Sequence, residues 1–230
     1  MAATDACSDN ALECLHADED LLVLVKPAGL LCVPGRGPDK QDCLSARAQA
    51  RWPGALIVHR LDQATSGLVL MARHIEAQRT LSDAFAQRLV DKRYQAVVQG
   101  TPAQPTDAQG WGLIDLPLIA DWPRRPLQKV DWEHGKPSQT RWRVLQHDAQ
   151  CGTTLLALQP LTGRTHQLRL HLASIGHPIL GDALYADAAT QARAPRLMLH
   201  ARELALAHPR TGEPLHWLAE WTPAFPGPGR

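Results

Sequence analysis

The residues of this 230-residue chain that could do chemistry gather in three short segments. The first is His59-Arg60-Leu61-Asp62-Gln63-Ala64-Thr65-Ser66-Gly67, set between the apolar runs Leu56-Ile57-Val58 and Leu68-Val69-Leu70-Met71. A carboxylate lodged between two buried runs costs several kcal/mol unless a cation pairs with it. Arg60 and the distant Arg164 are candidates for that role. The second segment is Lys92-Arg93-Tyr94, at the start of a strand pattern. The third runs from Leu161 to Arg169, a glycine turn at Gly163 feeding a helix. An acid held ionised where a core would not want one suits nucleophilic, basic or electrostatic work. The plain alternatives are a turn-capping Asp62 bonded to the amides of Thr65 or Ser66, a surface Arg164 and a core Tyr94.

Composition narrows the field. The formal net charge is only +1, so any polyanion site must be a local basic patch. The five cysteines are odd in number and form no Cys-x-x-Cys pair, which argues against a zinc ribbon and a disulfide framework. Among the eleven histidines, His166 and His171 stand five apart, off a common helix face, so no metal site is expected. No Gly-x-Gly-x-x-Gly or Walker loop appears, and no cofactor is expected. The N-terminus lacks a signal-peptide pattern and no apolar run could span a bilayer. A cytoplasmic protein with no membrane partner is the expectation.

Three helices and several strands must position these segments. Leu21–Val25 reads as a buried strand ending at Lys26-Pro27-Ala28-Gly29, and Gly35-Arg36-Gly37-Pro38 as a loop. Residues 42–51 read as a helix with Asp42 as N-cap. Residues 74–89 read as a second helix with Leu81, Phe85 and Leu89 on one face. Residues 93–98 form a strand, 99–139 a long irregular excursion, and 140–147 with 153–159 a hairpin. Residues 165–176 give a third helix capped by Gly176, followed by strands near 197–207 and 215–221. Strands and helices without steady alternation predict an α+β domain with a mixed, largely antiparallel sheet. Residues 1–18 read as an N-terminal tail and 223–230 as a C-terminal tail, leaving one domain over 19–222.

Taken together the segments resemble the pseudouridine synthases of the RluA family. Residues 59–67 match His-Arg-Leu-Asp-x-x-Thr-Ser-Gly without a mismatch, Lys92-Arg93-Tyr94 matches Lys-x-Tyr, and residues 163–169 match Gly-Arg-x-His-Gln-Leu-Arg. Residues 176–185 match Gly-His-Pro-Ile-x-Gly-Asp-x-x-Tyr, in the family's order, and the resemblance covers about residues 20–221. The stretch around Asp115–Ile119, Asp121-Trp122-Pro123 and Gly135-Lys136-Pro137 is similar to short members that modify both large-subunit ribosomal RNA and transfer RNA. Longer members carry an S4 RNA-binding domain ahead of the motif; none is expected here.

The resemblance implies the pseudouridine synthase fold, flanking helices and a central active-site cleft. It implies an isomerase that breaks N1–C1′ of uridine, turns the uracil and joins C5 to C1′. No redox cofactor or energy donor is needed. Asp62 is then the catalytic aspartate, acting at C1′ as nucleophile or at C2′ as base, and Arg164 its ion-pair partner. Tyr94 is implied to stack on the uracil and assist removal of the C5 proton, and Arg60 to fill the space left by a flipped base. The implied partners are 23S-type ribosomal RNA and a tRNA anticodon stem-loop, bound by a monomer. Arg36, Arg73, Lys92, Arg93, Arg124, Arg125, Lys129, Lys136 and Arg169 are candidates for phosphate contact, with Trp122 available for stacking. A non-catalytic RNA-binding or RNA-folding protein on the same fold is the alternative.

Overall fold

Two apolar strands organise the molecule. The structure, a computed structural model, describes residues 12–103 and 109–223. Strand β1 (Glu13–Ala17) leads into β2 (Leu21–Lys26), helix α1 (Leu44–Arg51) and the short β3 (Leu56–Ile57). Strand β4 (Ser66–Ala72) follows and is buried along its whole length, because it is covered on both faces. One face meets α1 through Leu44 and Ala48, and the other meets α2 (Ile75–Ala86) through Ala77 and Leu81. Burying a leucine such as Leu81 contributes roughly 1.5–3 kcal/mol, so each helix is held by a few such side chains.

The second half is built on β5 (Asp91–Gln99), β6 (Gly112–Asp115), the small hairpin β7 (Leu118–Ala120) and β8 (Gln128–Val130), and the long hairpin β9 (Gln139–Asp148) and β10 (Thr153–Pro160). Helix α3 (Gln167–Ser174) packs Leu168 and Leu172 under this half, and α4 (Ala188–Ala192) precedes β11 (Leu199–Ala207) and β12 (Pro214–Leu218). The main sheet has ten strands, along the path β1-β2-β4-β11-β5-β10-β9-β6, with β12 beside β11 and β3 beside β4. All its pairings are antiparallel except β4 with β11. The α+β class and the mixed, largely antiparallel sheet are therefore as the sequence predicts.

The parallel seam explains Thr65-Ser66-Gly67. Ser66 and Gly67 lie opposite His200 and Ala201, so the segment opens a strand instead of making a turn. Gly67 has φ +112°, and a Cβ there would sit 2.2 Å from the Ala201 carbonyl oxygen. Only glycine lets the two backbones approach so closely. The Ser66 hydroxyl bonds His200 Nδ1 at 2.9 Å and accepts from Arg196 at 3.1 Å, which locks the seam.

Several expectations are corrected. Residues 13–17, assigned to the N-terminal tail, form β1; its inward positions are Cys14 and His16 while Leu15 faces out, so the apolar alternation is inverted. Residues 1–11 and 224–230 lie outside the described residues. Cys43, not Asp42, is the N-cap of α1, because Asp42 is engaged by Arg47 at 2.7 and 2.6 Å. Helix α2 stops at Ala86, with Arg88 at φ +63°, and Leu89 is exposed. The excursion at 99–139 contains β6 and the β7–β8 hairpin, with residues 104–108 outside the described set. Asp187 caps the unforeseen α4 by accepting the Thr190 N–H at 2.7 Å.

Candidate active site

The seam delivers Asp62 to a cleft. The loop between β3 and β4 gives His59 to Asp62 and Thr65 to the lining, and Tyr94 near the start of β5 joins them, packed against the cores of both halves. Pro160 to Arg164 and His166 to Leu168, running from the end of β10 into α3, complete the lining of a 560 Å³ cleft. Small-ligand pockets span roughly 300–1,000 Å³. The lining holds one carboxylate, Asp62, against the cations Arg60, Arg88, Lys92, Arg164 and Arg169.

Asp62 does not cap the turn. The Thr65 N–H goes to the Asp62 backbone carbonyl at 3.1 Å, leaving the side chain free of that duty. Among the described residues, the nearest basic groups to Oδ2 are His166 Nε2 and Arg169 Nη1, each at 3.9 Å. Here two expectations are corrected. Arg164 is not the ion-pair partner of Asp62: it is exposed, and its guanidinium rests on the Pro137 carbonyl at 3.4 and 3.5 Å. Arg169 is not a surface phosphate contact, since it is 4 % exposed and forks Asp182 through Nε at 2.8 Å and Nη2 at 2.5 Å. With two nitrogens on Asp182, its third nitrogen is the one turned to Asp62. The burial of its ring, and after it the charge of Asp62, push the Tyr94 hydroxyl well above the usual phenol range, so it is neutral.

Buried polar groups hold the loop. Lys26 is fully buried, and its Nζ donates to the carbonyls of Pro27, Leu30 and Gln63 at 2.9, 2.8 and 3.0 Å, tying the 27–30 turn to the Asp62 loop. Burial brings its ammonium down to about 8. His59 accepts the Leu70 N–H on Nε2 at 3.0 Å and stacks on Phe85. In the sequence Lys26 reads as the end of a strand, and Arg88, His166, Asp182 and Tyr185 do not stand out as site residues. A lysine closing an apolar run, and the position of Asp182 and Tyr185 inside a matched motif, were the available signals.

Of the other candidates, Lys92 lines the cleft, and Arg60 and Arg36 are exposed. Arg93 lies off the cleft near Trp111, 5.6 Å from its ring centre. Arg73 is drawn off to the Asp18 carbonyl at 3.1 Å and does not line the cleft. Arg124, Arg125 and Lys129 ride on the segment joining and forming β7–β8, where Arg124 and Lys129 are paired with Asp121 and Asp131. Arg125 stacks over the exposed Trp122 at 3.2 Å, and Lys136 is exposed beside β7.

Residues 20–174 match the family model described as RNA pseudouridylate synthase. The chain belongs to that family. It is 48% identical over 206 residues to the dual-specificity RNA pseudouridine synthase RluA of Yersinia pestis, covering 90% of this chain and 97% of that one. Against the protein of the same name from Escherichia coli K12 it is 46% identical over 205 residues, 89% of this chain and 91% of that one. Among solved structures it is similar to human RNA pseudouridylate synthase domain containing 1, with a TM-score of 0.75, 28% identity, and coverage of 94% of this chain and 86% of that one. No helix among the described residues of the synthase is long and apolar enough to cross a membrane.

Its stability should fall in mild acid. Burial pulls His59 down to about 3 and His200 to about 4, and lowers His166 and His171 as well. The unfolded chain takes up these protons below about pH 6.5, whereas the folded chain resists until pH 3–4, so stability is lost as pH falls through that window. His74, held above its usual value by Asp20 and Glu76, works the other way at one exposed site. Melting temperature is expected to drop steadily from pH 7 to pH 4, with His200→Asn flattening the slope. A melting temperature constant over that range would contradict the assignment.

Proposed function

We propose that this synthase isomerises uridines in 23S-type ribosomal RNA and in the tRNA anticodon stem-loop, acting as a cytoplasmic monomer with Asp62 as its catalytic carboxylate. The observation that carries this reading is a single carboxylate in a cleft whose lysine and arginine lining residues are Arg60, Arg88, Lys92, Arg164 and Arg169. Hydrolases of O-glycosidic bonds by the usual route use two carboxyl groups, one to protonate the leaving oxygen and one to attack or to activate water. Isomerisation keeps the detached uracil in place and returns it to the same sugar, so one carboxylate serves, at C1′ or at C2′.

The cations have a separate use. Arg60, Arg88, Lys92 and Arg164 at the cleft favour an RNA backbone despite the near-neutral total charge. The exposed Trp122 and Trp132, with Arg124 and Arg125, give the hairpin region faces on which unpaired bases stack. A cleft of this size accepts one nucleoside, which means the target base must leave its stack. Arg60, exposed two residues before Asp62, is the side chain we assign to the gap. Tyr94, a neutral phenol, offers its ring to the uracil and a hydroxyl that donates.

Mapping of pseudouridine in total RNA from cells with and without the gene tests the substrate assignment. Loss of one site in large-subunit rRNA and one in a tRNA anticodon loop is expected. Unchanged maps, with purified protein that binds a stem-loop but leaves its uridines intact, would favour a binding protein instead.

A further inference from the structure

Among the described residues two that are not glycine hold a positive φ, Arg88 at +63° and His166 at +54°, and both line the cleft. Arg88 is explained by its place after α2, where its N–H and that of Leu89 close the helix end on Phe85 and Ala84. His166 has no such reason. It precedes α3 as the N-cap residue, where extended backbone is usual, and its side chain caps nothing. Strain of this kind persists only where the surroundings impose it.

The side chain that this backbone carries into the cleft is held by Tyr185. Its hydroxyl lies 2.8 Å from His166 Nδ1, and its ring meets the imidazole edge-on at 5.6 Å. The same hydroxyl accepts the backbone N–H of Gln128 in β8, also at 2.8 Å. The Gln128 N–H can only donate, so among the described residues Nδ1 is the one acceptor within reach of the phenol proton, and the hydroxyl donates to it. The imidazole then carries its own proton on Nε2, the nitrogen that faces Asp62 Oδ2 at 3.9 Å. Tyr185 is itself fixed, since Asp182 Oδ1 accepts the N–H groups of Leu184 and Tyr185 at 2.8 and 3.2 Å.

We infer that His166 is a positioning residue for Asp62, presenting an Nε2–H that stands 3.9 Å from the carboxylate in this structure and closes to a hydrogen bond when substrate is bound, and that Tyr185 makes this alignment depend on the seating of the β7–β8 hairpin. The inference rests on the reading of Asp62 as the catalytic group. It joins two surfaces that otherwise have separate tasks. The segment between β7 and β8 presents Trp122, Arg124 and Arg125 to solvent, and the two hydrogen bonds that start at β8 end on the ring facing the acid. RNA that engages the hairpin would thus be sensed at Asp62 through three groups: the Gln128 amide, the Tyr185 hydroxyl and the His166 ring.

Nitrogen-15 spectra of the labelled imidazoles give a test that does not use activity. With the His166 signals assigned by their loss in His166→Gln, Nδ1 should be pyridine-like and Nε2 pyrrole-like near neutral pH, and Tyr185→Phe should erase that preference. A wild-type ring protonated on Nδ1 would overturn the proposal. Single-turnover rates on an anticodon stem-loop RNA give the second test. Tyr185→Phe and His166→Asn should slow pseudouridine formation by about tenfold or more, as expected for a misaligned reacting group, with RNA Kd within about threefold of wild type. His166→Gln, which keeps an N–H near the Nε2 position, should be faster than His166→Asn. Wild-type rates in Tyr185→Phe, or losses of affinity that match the losses of rate, would overturn it. Activity surviving in Asp62→Ala would instead remove the reading of Asp62, and the tautomer result would stand apart from it.

Discussion

Replacing Asp62 with Asn should cut pseudouridine formation by about 10⁴-fold, the scale seen when a group that acts directly on the reacting atoms is removed. RNA affinity should hold or rise, because a negative charge leaves a cleft that keeps its lysine and arginine side chains. Stability should change by less than about 1 kcal/mol. That last expectation separates this reading from a structural one. An aspartate that caps a turn through its side chain loses about 0.5–2 kcal/mol on substitution. Here the Thr65 amide is satisfied by the Asp62 backbone carbonyl, which Asn retains. Arg169 also keeps its fork on Asp182, so no buried cation is left without a partner. Tritium release from C5-labelled RNA, filter binding and thermal melting measured together decide the matter. Turnover within tenfold of wild type, or a melting loss without a loss of turnover, would show that Asp62 is not the catalytic group.

Local pattern was enough for most elements and insufficient for the site's pairing. The apolar runs at Leu21–Val25 and Leu68–Met71 announce strands whichever neighbours they have, and Leu81 with Phe85 marks α2 in the same way. What no local pattern contains is the seam of β4 with β11, where Ser66 meets His200 across 134 residues. That contact turns an apparent turn into the start of a strand and aims Asp62 into the cleft. The choice between Arg164 and Arg169 fails for a related reason. Both belong to one matched segment, and helix spacing counted from Thr165 gives no preference. The left-handed backbone of His166 delays α3 to Gln167, turns Arg169 inward and leaves Arg164 outside. The β7–β8 hairpin is hidden for a third reason: its strands are three residues each, between prolines and aspartates that read as loop.

The two arginines now predict opposite outcomes. Arg169→Met leaves Asp182, which is fully buried, with backbone donors but no cation. Breaking a buried pair from one side typically costs about 3–5 kcal/mol, which for a chain of this size lowers the melting temperature by roughly 10 °C. Turnover should fall as well, since Arg169 Nη1 is the guanidinium nitrogen nearest Asp62. Arg164→Ala removes only two long bonds from an exposed side chain, so melting should move by about a degree. Whatever Arg164 contributes would then appear in RNA affinity or in the bound complex, not in the fold. Adding Asp182→Asn to Arg169→Met should restore part of the lost stability, because the stranded carboxylate goes with the cation, while turnover stays low. Calorimetry on the two single variants and the double one is the check. If Arg164→Ala melted low and Arg169→Met melted like wild type, the pairing of Arg169 with Asp182 would not be what supports the acid.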